Sequence, residues 1–201
     1  TAGRMLFRML NNQGFDLWAA GYDESVRQAD EGNRYPFAGY ARLMNAIYAT
    51  VMNAAPANVL DVGFGTAFLA GKLYDGGNTL TGIDFSEEMI KTAAQKMPGA
   101  TLLQWDFSRG VPPELREETF DFIVSTYALH HLSDDAKVGF LSSLLNLLEP
   151  DGAILIGDVC FATRGDLLAC KESCGEDWDD EEFYFVFSEI QKRMTPSCRL
   201  S

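Results

Sequence analysis

The residues Val59-Leu60-Asp61-Val62-Gly63-Phe64-Gly65-Thr66-Ala67 constrain the fold more than any other stretch of the chain, because a short apolar run ends there in a carboxylate and two glycines. Val59, Leu60 and Val62 suit a strand buried on both faces. Gly63 and Gly65 let the backbone turn sharply and approach a ligand with no Cβ in the way. The pattern over 66–74 reads as a helix whose unpaired N–H groups point back at that loop. A strand, a glycine loop and a helix start make a site for an anionic or polar ligand group.

Strand and helix patterns then alternate at short intervals. A β-rich run over 79–83 follows the turn signal Asp75-Gly76-Gly77-Asn78, and Ser86 caps a helix that opens with Glu87 and Glu88. Between them stands Asp84, about 20 residues beyond the glycines, where a carboxylate can accept both hydroxyls of a ribose. Such a residue marks a nucleoside, not a reaction. A third strand, 100–105, runs into Asp106-Phe107. An exocyclic amine wants a carboxylate acceptor, and Phe85, Trp105 and Phe107 offer apolar faces for a ring. A fourth strand spans 120–125. Ser133-Asp134-Asp135 caps a helix striped by Val138, Leu141, Leu145 and Leu148, and Pro150-Asp151-Gly152 turns the chain into a fifth strand, 153–156, ending Gly157-Asp158. The alternation predicts an α/β domain with a doubly wound, mostly parallel sheet. Its ligands bind beyond the carboxyl ends of the strands, where strand order reverses.

The acid-led glycines DVGFG resemble motif I of the class I S-adenosylmethionine (SAM) dependent methyltransferases; Ala67 stands where that family usually carries a further glycine. A nicotinamide-binding unit would show G-x-G-x-x-G, and Phe68 occupies its third glycine. Residues 120–132, FDFIVSTYALHHL, resemble the family's F-D-x-I-x-S-x-x-x-x-H-H-L segment. Trp18-Ala19-Ala20-Gly21-Tyr22-Asp23 resembles its W-A-x-x-Y-D stretch, and Leu148-Glu149-Pro150-Asp151-Gly152 its Leu-x-Pro-x-Gly turn. The resemblance runs over about residues 15–160 and implies a Rossmann-like fold with SAM as cofactor. It further implies a helical lid over 1–55, a SAM-binding core over 56–160 and C-terminal helices over 161–201. Too little chain remains after those helices for the family's last two strands, so an incomplete C-terminal hairpin is expected. By the same resemblance the cofactor meets Asp61, Gly63, Phe64 and Gly65 at the loop, and Asp84, Phe85 and Met89 at the ribose. Asp106 and Phe107 meet the adenine, Ser125 and Tyr127 lie under the methionine end, and Trp18 and Tyr22 belong to the lid.

His130 and Tyr22 are the candidate catalytic residues, as general bases for an acceptor that must lose a proton. His130 and His131 are the only histidines of the chain. In an extended segment their side chains point opposite ways, and the plain alternative for His130 is a buried imidazole tying the loop to a carbonyl. Asp158 belongs either at the cleft rim, orienting a cationic or amine substrate, or at a helix cap. Cys170 and Cys174 share a helix face over 164–174 with no histidine near, so free thiols and no metal are expected. The acidic run Glu176-Asp177-Trp178-Asp179-Asp180-Glu181-Glu182 suits the N-terminus of a further helix carrying Phe183, Tyr184, Phe187 and Ile190.

One domain suits 201 residues, and a formal charge of −13 disfavours a phosphate-backbone partner. No apolar run reaches the about 20 residues of a membrane span. The expectation is a cytoplasmic enzyme, monomer or homodimer, that methylates a small molecule and binds neither nucleic acid nor membrane. An NAD(P)-dependent oxidoreductase and a non-catalytic SAM-binding partner protein are the alternatives.

Overall fold

A computed structural model describes residues 35 and 37–195 of the chain. It divides into two compact units, 1–46 and 47–201. Trp18, Tyr22 and the part of the expected lid before residue 35 lie outside the described residues. Within the first unit the ring of Phe37 meets Tyr40 edge-on at 6.0 Å, at the start of helix α1, Tyr40–Met52. Ahead of it, residues 37–39 form a bend and turn through Gly39, whose φ is 77°.

The second unit alternates β1 (Asn58–Val62), α2 (Phe68–Asp75), β2 (Thr79–Asp84), α3 (Glu87–Lys96), β3 (Thr101–Gln104), β4 (Phe120–Thr126), α4 (Asp134–Leu144) and β5 (Leu148–Gly157). The strands form one parallel sheet in the order β3-β2-β1-β4-β5. The chain therefore steps outward from β1 through β2 to β3, then crosses back to place β4 on the other flank of β1. The order reverses between β1 and β4, so the carboxyl ends of those two strands flank the crevice where such sheets bind ligands. Val59, Leu60, Val62, Ile83, Ile123 and Val124 are buried on both sides of the sheet, as continuous apolar runs in a parallel sheet require. Beneath β4, the ring of Phe107 packs against Phe140 of α4 at 5.8 Å. Leu129, Leu132, Leu141 and Leu144 complete that side of the core.

Two boundaries moved for a physical reason. Helix α2 starts at Phe68, two residues later than the pattern predicts, because Gly65 and Ala67 both hold left-handed backbone, φ 53° and 56°, and keep the loop open. Strand β5 begins at Leu148, since Phe120 already pairs with Leu148 before the register shift near Phe122.

The C-terminal segment corrects an expectation. Helix α5 (Arg164–Cys174) is present as predicted, opened by a capping box between Thr163 and Asp166. The acidic run does not open a helix. It forms a single 3-10 turn, Gly175–Asp177, then extends into a strand. That strand, β7 (Phe185–Val186), pairs in parallel with β6 (Cys160–Phe161), and only then does helix α6 (Phe187–Met194) begin. Tyr184, Phe185 and Val186 are all buried. Consecutive aromatic and β-branched residues fit a pleated, covered surface better than one stripe of a helix.

Gly82, in the middle of β2, shows how closely the loop is packed on the sheet. A Cβ added there would lie 2.6 Å from Cδ1 of Phe64 and 2.9 Å from its Cε1. Alanine ordinarily improves on glycine inside a strand; here Gly82→Ala should cost about 1–3 kcal/mol in urea unfolding, the usual range for overpacking. Adding Phe64→Ala should return part of that loss. Two fully additive losses would show that this ring does not set the constraint.

Candidate active site

The loop after β1 is held by backbone and carboxylate together. The Gly63 N–H donates to the Ile83 carbonyl at 2.8 Å, and the Gly65 N–H donates to Asp84 Oδ2 at 2.9 Å. The other oxygen of the same carboxylate, Oδ1, accepts the Ser86 N–H at 2.9 Å. Asp84 therefore shapes the loop before it meets any ligand, and each oxygen keeps a second lone pair for a hydroxyl. Ser86 is the helix cap, accepting the Met89 N–H at 3.4 Å, so Met89 sits in the first turn of α3 beside Asp84. Gly63 has φ 71°, and a Cβ there would fall 2.6 Å from the Cβ of Ala128. The glycine loop and the loop after β4 thus meet across the switch point.

Asp61 lies below this loop, 1% exposed, and its Oδ1 has no hydrogen-bond partner among the described residues. Burial, and then the charge of Asp84, push its pKa up to about 7. A buried carboxyl oxygen left open costs free energy until a donor or cation reaches it.

Not every predicted contact faces a ligand. Phe64 is buried and lies over Gly82. Phe107 is buried against Phe140. Trp105 donates its indole N–H to the Gly110 carbonyl at 2.7 Å and carries the Arg109 guanidinium over its ring at 4.7 Å. Of the three expected ring partners only Phe85 stands open, 68% exposed. Asp106 is exposed and caps a 3-10 turn, accepting the Ser108 N–H at 2.9 Å; the Ser108 hydrogen bonds hold its carboxyl below the usual range. Ser125 is buried and donates its hydroxyl to the Val62 carbonyl at 2.9 Å, which ties β4 to β1. Tyr127 holds φ 49°, a strained value for a non-glycine residue of the kind that clusters at functional sites. Its N–H donates to the Gly157 carbonyl at 2.7 Å.

The histidines depart from expectation. Leu129–His131 forms a 3-10 turn instead of an extended segment, so the two rings do not point apart but meet edge to face at 4.3 Å. His130 is buried and tied to a carboxylate, not a carbonyl: Nδ1 lies 2.7 Å from Asp158 Oδ1, and its N–H donates to Asp158 Oδ2 at 3.2 Å. The Asp158 side chain, 2% exposed, turns inward instead of standing at a cleft rim. His130 Nε2 faces Glu182 Oε1 at 3.4 Å. Burial works against the charged imidazole, but the hydrogen bond and charge of Asp158, joined by Glu182, hold its pKa above the ordinary value. Glu182 was predicted only as part of an acidic helix start. Its place here depends on the pairing of β6 with β7, which no local pattern announces.

An open concavity of about 660 Å³ lies between Asn58, Asp121, Glu149 and Pro150, at the amino ends of the strands. It is on the opposite edge of the sheet from the glycine loop, and its carboxylate-rich wall does not suit an anionic ligand group.

A family model described as a methyltransferase domain matches residues 59–152. An uncharacterized methyltransferase of Geobacillus kaustophilus is 41% identical over 151 residues, 75% of this chain and 67% of the relative. Another, from Bacillus cytotoxicus, is 38% identical over 151 residues, 75% and 68% of the two chains. Among solved structures, magnesium protoporphyrin IX methyltransferase from Synechocystis PCC 6803 with bound S-adenosylhomocysteine superposes with a TM-score of 0.64. The identity is 19%, over 92% of this chain and 84% of that one. The YcgJ protein of Bacillus subtilis gives a TM-score of 0.61 at 23% identity, over 77% and 67%. At these identities the structural likeness speaks for the Rossmann-like fold, while the relatives speak for the chemistry and displace the nicotinamide alternative. S-adenosylmethionine is accordingly the cofactor, and the open oxygen of Asp61 under a glycine loop fits a ligand that carries an amino group and a sulfonium. At 41% identity over three-quarters of its length and 67% of the relative's, the chain belongs to the SAM-dependent methyltransferase family.

Proposed function

We propose that the protein moves a methyl group from SAM to a small-molecule acceptor by in-line displacement, with the cofactor held over Gly63–Gly65 and the acceptor on the His130 side. The observation that carries this is the pairing of Asp84, which clasps the loop through both oxygens, with Asp61, whose buried oxygen awaits a partner. Asp84 would hold the ribose hydroxyls and Asp61 would answer the amino group. Asp106, with its exposed carboxylate, and Phe85, with its open ring, would receive the adenine. When bound, the cofactor supplies an already activated methyl on a sulfonium. What remains for the chain is to position an acceptor in line and exclude water, which can contribute roughly 7–11 kcal/mol. A net charge of −13 favours a small acceptor over a nucleic acid. No helix among the described residues is long and apolar enough to cross a membrane.

Calorimetry with SAM, S-adenosylhomocysteine and NAD tests the cofactor side. Both adenosyl compounds should bind and NAD should not. Asp84→Asn, which turns an amide donor toward one of the two backbone N–H groups and removes the charge from both bonds, should weaken both at least about tenfold, given charge-assisted bonds of about 1.5–3 kcal/mol. Labelled-methyl turnover over a panel of small thiols, amines and carboxylic acids then tests the acceptor class; binding without any turnover would leave a SAM-binding partner protein.

Asp61 predicts a pH signature. Its folded pKa, about 7, lies above its ordinary value of 3.8, so the unfolded chain loses this proton first as pH rises. Stability should therefore fall between about pH 4 and pH 7 and level off above, by up to about 4 kcal/mol from this group. Asp61→Asn should flatten that window in denaturant titrations. A cation seated beside Asp61 should expel the proton, so binding heats about one unit below its pKa should depend on the buffer's ionisation enthalpy in the wild type and not in the variant.

His130→Ala should lower the maximal rate by about 100-fold or more while leaving S-adenosylhomocysteine affinity in place. An unchanged rate removes His130 from the acceptor side.

A further inference from the structure

The contact between His130 and Glu182 is incomplete as drawn by its two side chains alone. With Nδ1 committed to Asp158 at 2.7 Å, Nε2 is left facing Glu182 Oε1 at 3.4 Å. A nitrogen lone pair and a carboxylate oxygen repel unless positive charge lies between them. Lys137 does not supply it: its ammonium is turned to the Phe183 carbonyl and to Asp134 Oδ1. Nor is Glu182 loosely placed, since its Oε2 accepts the hydroxyl of the buried Tyr184 at 2.5 Å. A bridging proton would satisfy His130 and Glu182 but gives no reason for a third donor. There is one: a ring nitrogen of His130, a ring nitrogen of His131 and an oxygen of Glu182 all lie within 4.8 Å of one another.

We propose that His130, His131 and Glu182 bind a divalent cation of the zinc class, with Asp158 and Tyr184 as its supporting shell. Two imidazoles and one carboxylate are a donor set for zinc or a similar transition metal in preference to magnesium or calcium, which take oxygen ligands. Donors about 2.0–2.1 Å from a tetrahedral metal stand about 3.3 Å apart, close to the His130–Glu182 separation of 3.4 Å. His131 is exposed and, with the donors within 4.8 Å of one another, has to close by at most about 1.5 Å to reach the same spacing. The hydrogen bond from His130 Nδ1 to Asp158 is the one that fixes a metal-binding imidazole in its tautomer and orientation. Three protein donors leave a fourth position open, as in catalytic zinc sites. Resting on the methyl-transfer reading, that position would take an acceptor hydroxyl or thiol as its anion, the proton it loses passing to solvent, and His130 would act as a ligand in place of a base.

The test is titration of metal-free protein with Zn²⁺ against a chromogenic chelator, with Co²⁺ absorption as a second measure. One equivalent should bind, and His131→Ala and Glu182→Gln should each weaken it at least about 100-fold, beyond the 10–100-fold typical of supporting-shell losses. Zn²⁺ should also raise the Tm of the wild type and of neither variant. Cys170 and Cys174, whose sulfurs lie 3.8 Å apart, are the competing soft site, so Cys170→Ser/Cys174→Ser must keep the equivalent. The wild-type Co²⁺ spectrum needs no variant to fold: nitrogen and oxygen bands without thiolate charge transfer support the site. No bound equivalent, binding lost with the cysteines, or binding that survives both ligand variants overturns it. Protein that binds S-adenosylhomocysteine but no metal loses this site and keeps the methyltransferase reading. Protein that binds metal but no adenosyl compound does the reverse.

Discussion

Two carboxylates converge beneath one loop, and only one of them has a donor on each oxygen. Asp84 accepts a backbone N–H on each oxygen, from Gly65 and from Ser86, at 2.9 Å. Hydrogen bonds to an ionised acceptor are the strong ones, and here they join the turn after β1 to the turn after β2. Asp61 has one oxygen without any such partner. Burial first, and then the neighbouring charge of Asp84, disfavour the ionised form of Asp61 and raise its pKa to about 7. The positive φ of Gly63, Gly65 and Ala67 follows from the same clasp, because the loop must curl back far enough for the Gly65 N–H to reach Asp84.

The half around the glycine loop is built from near neighbours in sequence and was legible for that reason. Apolar runs long enough only for strands, punctuated by Gly, Asn and Ser at turns and caps, mark the five sheet strands to within a few residues. Asp84 is separated from Gly65 by 19 positions, the span of one β-α-β step, so its place beside the loop follows from topology alone. What the sequence could not show is which aromatic rings would be consumed by packing. Trp105 and Phe107 read like ring partners until Gly110 and Phe140 claim them, and only three-dimensional neighbours decide that.

The half around His130 was less legible, because it is assembled across longer stretches of chain. His130 meets Asp158 over 28 positions, and the Phe183 N–H closes on the His130 carbonyl at 2.8 Å. The apolar spacing of Phe183, Tyr184, Phe187 and Ile190 is compatible with a helix, but Phe185 and Val186 gain burial and a parallel partner at Cys160 and Phe161. Tertiary pairing overrides local preference where a segment is short and its residues suit either state. The histidines show the same limit on a smaller scale. A strand-like alternation separates their rings, whereas a 3-10 turn at Leu129–His131 brings them together.

The two halves also differ in what a substitution can change. The matched family model spans 59–152, which takes in the clasp, Asp61 and both histidines but stops before Asp158 and Glu182. The clasp and the buried Asp61 therefore reside in the segment that the family model matches. The environment of His130 is set by residues contributed after it, through β6 and β7. Lys137 joins these regions: wholly buried in α4, it gives its ammonium to the Phe183 carbonyl and stands over the Phe185 ring at 4.8 Å. Desolvation presses its pKa down, yet the carbonyl, Asp134 and the ring together favour the charged form. A buried cation that anchors the strand carrying Glu182's neighbours makes the geometry around His130 a property of the packed fold instead of a mobile loop, and rigid support of that kind is what a preorganised site requires.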